Sequence, residues 1–123
     1  MKLGFNPILD VEASIINNVG EAEPLAEQIF YILEKNPDGL LRGKDVASEI
    51  WYAKTMDALR NNALIFLVTN SRGKAETDKL KAGIYYICGI SQEVGVWNVE
   101  VELKPGKNSL VLDNTNLVPV ARP

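Results

Sequence analysis

The chain contains no histidine. That absence removes the commonest general base and the commonest transition-metal ligand, so serine–histidine and cysteine–histidine catalysis are excluded. Cys88 is the one cysteine in 123 residues, so no intramolecular disulfide can form. It lies inside the apolar run GIYYICGI, where a free cysteine is expected to pack as a small hydrophobe. No apolar run approaches the roughly 18 residues of a helical membrane span, and none is expected. The opening MKLGFNPILD holds no apolar run of signal-peptide length, so no leader is expected in this chain.

Surplus charge of either sign is also lacking. Thirteen basic residues stand against 16 acidic ones, net −3, and the basic residues are scattered. Long-range attraction to nucleic acid is therefore not expected. With 46% hydrophobic and 24% charged residues, the composition is that of a globular protein with a core. The length predicts a single domain over residues 1–123, with LVPVARP at 117–123 as a tail.

What is present reads mostly as strand. Val11, Glu12, Ala13, Ser14, Ile15 and Ile16 follow a period close to two before NNVGE breaks the run. ALIFLVT at 63–69 is a continuous apolar run, and the turn NSRG places glycine where a positive φ is needed. Strand character returns in GIYYICGI. It is sharpest where Trp97, Val99, Val101 and Leu103 alternate with Asn98, Glu100 and Glu102. KPGK puts proline and glycine at the centre of a type II turn, and Leu110 and Leu112 then face one way. Between 44 and 60 the signal is helical, because Val46, Ile50, Ala53, Met56 and Leu59 recur every three or four residues. Residues 28–34 fit either a helix ending at Asn36-Pro37 or a short buried strand, and periodicity does not decide between them.

Candidate chemistry is sparse. The acidic pairs Glu21/Glu23, Glu76/Asp78 and Glu100/Glu102 could hold calcium or share a proton only with further ligands. Glu100 and Glu102 fall on the wet face of their strand. The oxygens of Asp113, Asn114, Thr115 and Asn116 suit a strand-ending turn, since the loop length and terminal glutamate of an EF-hand are missing. NSRGK and DKLKAG lack phosphate-loop spacing. The sequence therefore points to no enzyme, no metal and no cofactor. Trp51 and Tyr52 lie beside the expected buried stripe of the helix. One is expected to anchor the helix, and the other to be available for binding a sugar or a partner chain.

VTNSRGKAETDKLKAGIYYICGI, VWNVEVELKPGKNSLVLDN and GEAEPLAEQIFYILEK together resemble the carboxypeptidase-regulatory-like, or prealbumin-like (transthyretin-like), β-sandwich modules. The resemblance covers residues 11–34 and 63–114. It implies a mainly β, antiparallel sandwich carrying one helical insertion at about 38–62, and it favours a strand over 28–34. Glu27 stands where that family usually has glycine. The resemblance further implies a non-catalytic accessory module outside the cytoplasm, contacting protein or glycan, or assembling with its own copies through strand edges.

An alternative reading is an acidic winged-helix regulator binding DNA or protein, since LAEQIFYILEKNPDGLLRGKDVASEI is similar to the start of such domains. Against it, residues 46–64 leave room for about one long helix. Lys44, Lys54 and Arg60 are also cancelled there by Asp45, Glu49 and Asp57.

Overall fold

The computed structural model describes residues 6–41, 49–91 and 93–118. Its first sheet contains β1 (Pro7–Ile16), β2 (Ala22–Pro24), β5 (Lys74–Thr77) and β8 (Gly106–Leu112). The second follows the order β4 (Ile65–Val68), β3 (Ile29–Leu33), β6 (Gly83–Ser91), β7 (Gly95–Leu103). Between β3 and β4 come α1 (Asp38–Leu41) and α2 (Glu49–Asn62). The chain is thus a mainly β sandwich with a helical insertion. Residues 44–48 of the expected helix, Val46 among them, lie outside the described residues.

The two sheets close over Leu9, Val11, Ala13, Phe30, Ile32, Leu67, Ile87, Trp97, Leu103 and Leu112, all buried. Period-two alternation puts them on inner faces, and their burial supplies the main drive to fold. Trp97 is fully buried, with its ring edge-on to Phe30 at 5.5 Å and its Nε1–H donating to the Asp113 carbonyl at 2.8 Å. Gly89 lies opposite both Phe30 and Trp97 in the strand register, and a Cβ there would stand 2.6 Å from the Phe30 ring. A glycine at this point leaves the space that the aromatic pair fills.

A second cluster lies on the outer face of the β4–β7 sheet. Tyr31, Leu33, Cys88, Ile90 and Val96 are covered there by Leu41 and Leu59, with Trp51, Tyr52 and Met56 packed around them. β3 is therefore buried on both faces, which is why IFYIL reads as an unbroken apolar run without a period. The strand reading of 28–34 is the observed one. β3 sits inside the sheet, paired with β4 and β6, which removes the winged-helix alternative.

Three features depart from expectation. The β1–β8 pair is parallel, with Leu9 beside Asn108 and Ala13 beside Leu112, whereas the other strand pairs are antiparallel. The turn at Lys104-Pro105 carries the chain from one sheet to the other, so β8 arrives at the open side of β1 running in the same direction. Ile50, expected in the helix's buried stripe, is 71% exposed. The helix is rolled so that Trp51, Thr55 and Leu59, with Tyr52 and Met56, face the sheet, because the two aromatic rings offer more area to bury than Ile50 and Ala53. Third, the expected tail starts by pairing: Leu117 bridges Trp97 and the Val118 N–H donates to the Val96 carbonyl at 2.7 Å. Residues 119–123 lie outside those described.

Candidate functional site

Trp51 and Tyr52 are both half-buried, on the side of α2 that meets Tyr31, Leu33 and Cys88. The expected division into one anchor and one open ring is not what the packing gives, since both rings share the anchoring. Cys88 is fully buried and its thiol is pushed up to about 12 by desolvation, so it holds its proton at neutral pH.

The acidic pairs named from sequence do not converge. Glu100 accepts a hydrogen bond from the Tyr86 hydroxyl at 3.1 Å on the exposed face, and Glu23 from Asn17 at 3.4 Å. The side chains of Asp113, Asn114 and Asn116 are used as turn and strand caps. Asn114 bonds both the N–H and the carbonyl of Ile16, and Asn116 caps Asp113 and Val111. Among the described residues no three histidine, cysteine, aspartate or glutamate side chains are grouped to hold a metal.

The first sheet's outer face carries a polar groove of about 640 Å³, lined by Asp10, Glu12, Lys74, Glu76, Lys107 and Ser109. Asp10 and Glu76 are directly opposite across β1 and β5. Their carboxyl groups share a hydrogen bond, which lowers Asp10 and raises Glu76 from their ordinary values. Lys107, with Nζ 3.2 Å from Asp10 Oδ2, lowers Asp10 further. Sequence reasoning paired Glu76 with Asp78 and missed Asp10, because the contact is set by a strand register joining residues 66 positions apart.

On the other sheet the edge strand β4 presents Phe66 (60% exposed) and Val68 (46%) on its outer face, outside the buried cluster that α2 covers. Leu64, just ahead of the strand, is 47% exposed. The Phe66 ring leans on Tyr31 at 6.4 Å and is otherwise largely open. Sequence reasoning read 63–69 as a strand but had no sign of which flank would stay open.

No family model matches the sequence, and no curated protein does so either. Solved structures do match in fold. The minor pilin GBS52 of Streptococcus agalactiae superposes with a TM-score of 0.59 at 20% identity, over 96% of this chain and 47% of that one. A Pseudomonas aeruginosa protein for which carbohydrate binding has been suggested gives 0.60 at 10% identity, over 90% of each chain. The major pilin SpaD of Corynebacterium diphtheriae gives 0.55 at 14% identity, over 92% of this chain and 33% of the pilin. The chain thus spans about half of one pilin and a third of the other. At these identities the likeness establishes the β-sandwich fold. The narrower prealbumin-like and carboxypeptidase-regulatory labels do not follow from it. Among the described residues no helix is long and apolar enough to cross a membrane.

Proposed function

We propose that the chain is a single-domain, non-catalytic contact module of a protein that works outside the cytoplasm, and that its ligand is another protein chain. The observation that carries this is the bare apolar column of Leu64, Phe66 and Val68 on the open edge of a sheet. Open strand edges bind extended segments by completing the ladder, with side-chain pockets adding selectivity. The neighbours of like fold that are pilins lend support to an assembling module outside the cytoplasm. A glycan is the less favoured ligand, because the polar groove has no aromatic side chain on which a sugar ring could stack. The half-buried rings of Trp51 and Tyr52 are assigned a secondary part in the contact, at the helix beside the column.

Photo-crosslinking tests this reading. A benzoylphenylalanine placed at position 66 in the native host should give a discrete cross-linked protein species, one placed at 51 a weaker one, and one placed at 102 none. Equal yields at 66 and 102, or none at 66, would refute the assignment. Protease accessibility of the chain on intact cells checks the compartment.

A further inference from the structure

We infer that β4 is a homotypic docking edge, pairing antiparallel with β4 of a second copy of this chain about a two-fold axis at Leu67. The inference rests on the contact-module reading and names its partner.

The backbone geometry comes first. The Thr69 N–H donates to the Gln28 carbonyl at 3.0 Å, so strand alternation turns Leu67 and Ile65 toward β3. The N–H and C=O groups of Phe66 and Val68 then point away from β3, toward the side on which the Asn70 N–H donates to the Lys74 carbonyl at the foot of β5, and no described residue hydrogen-bonds them there. An edge with free donors and acceptors recruits another strand unless something prevents it.

Every other described edge is protected. β2 carries Glu23 and Pro24, β5 carries Lys74 and Glu76, and β8 carries Lys107. β7 carries Glu100 and Glu102, and its start is paired with Leu117 and Val118. β4 has none of these devices. Residues 61–71, NNALIFLVTNS, contain neither a charge nor a proline.

That lack of charge also admits a second copy as the partner, and the register below makes the pairing self-complementary. A strand without charges can lie against its own antiparallel copy with no like-charge repulsion. With the axis at Leu67, Phe66 of each copy falls opposite Val68 of the other. Both outward-facing residues of each copy are then bonded, and the two side-chain pairs are aromatic against β-branched, a favourable cross-strand combination. The result is one continuous eight-stranded sheet. Such a contact is smaller than a standard protein interface, so the association is expected to be weak and to show only at high protein concentration.

Sedimentation velocity from about 10 µM to about 1 mM reads this directly. The wild type should shift from monomer to dimer. Phe66→Lys should weaken the dimer at least tenfold with unchanged circular dichroism, and Val68→Lys serves as a second variant should that one fold poorly. Glu102→Lys, on the far edge, should leave dimerisation intact. Hydrogen exchange at high concentration should protect the Phe66 and Val68 amides selectively. A chain that stays monomeric at 1 mM, or a dimer indifferent to both β4 variants, overturns the inference. If that monomeric chain still cross-links to a different protein through position 66, the homotypic edge fails while the contact-module reading stands.

Discussion

Replacing Glu27 by glycine should stabilise the protein. Glu27 has φ of 58°, the one non-glycine residue in the left-handed region among those described. The conformation is imposed by its surroundings. The Glu27 N–H donates to the Thr69 carbonyl at 2.9 Å, and the Thr69 side chain accepts from the Gln28 N–H and donates to the Leu25 carbonyl. Leu25 is itself tied to the Ala13 carbonyl at 2.9 Å. A Cβ in that region costs roughly 1–2 kcal/mol. Glycine gives back roughly 0.5–1 kcal/mol through its freer unfolded chain. The net expected gain is about 0.5–1 kcal/mol, or about 2–5 °C in Tm for a domain of this size. Thermal and urea melts of wild type, Glu27→Gly and Glu27→Ala provide the assay. Alanine keeps the Cβ and removes the carboxylate, so it should gain nothing. A gain from alanine equal to that from glycine would show that charge, not backbone conformation, is responsible, and the reasoning would fall.

Other perturbations follow from the same packing. Gly73→Ala should cost at least about 2 kcal/mol, because φ there is +74° and the new Cβ would run into the Ala13 carbonyl oxygen; an unchanged urea midpoint would contradict this. Trp97→Phe should cost about 2–4 kcal/mol by leaving the Asp113 carbonyl unpaired and opening a void beside Phe30, read as a lower midpoint with an unchanged slope. The Asp10–Glu76 pair sets a pH dependence. Raised in the folded state, Glu76 contributes stability below about pH 4.3, its ordinary value, and loses it as pH rises through the raised one. Asp10, lowered, contributes above its ordinary value and loses that stability as pH falls through the lowered one. Glu76→Gln should therefore flatten the decline in urea midpoint from about pH 4.3 toward neutrality, and an unaltered decline would place its origin elsewhere.

Legibility of the fold tracked burial on one face. The stretch from Trp97 to Leu103 alternated because one side is core and the other water, and every residue fell on the side expected. IFYIL was ambiguous because α2 covers its second face, which erases the period that would have told strand from helix. The helix was legible as a helix but not in its rotation, since Ile50 and Trp51 begin two competing apolar stripes and only the shape of the sheet chooses between them. The parallel β1–β8 pair was invisible, because alternation says which face is buried and nothing about the neighbour. The left-handed turn was legible in a negative sense: Glu27 was marked as a glycine position, and the backbone is glycine-like there. The Asp10–Glu76 contact and the open flank of β4 required the register and the strand order, neither of which a single sequence carries.

The size of the insertion explains where the bare surface falls. A helix is about 10 Å across, and strands in a sheet are about 4.8 Å apart, so one helix shields about two strands of four. α2 settles over β3 and β6, whose outward residues Tyr31, Leu33, Cys88 and Ile90 are apolar. Two outer columns remain largely beyond its reach. On β7 most of that column is polar, with Asn98, Glu100 and Glu102 after Val96 under the chain's returning C-terminal segment. On β4 it is Phe66 and Val68, with Leu64 just ahead of the strand, an apolar surface that stays exposed among the described residues. If both columns were merely the residue of incomplete coverage, both would be expected to be hydrophilic. That one is polar and the other apolar, on the edge that also lacks charge and proline, is the asymmetry expected of a sheet built to continue in one direction only.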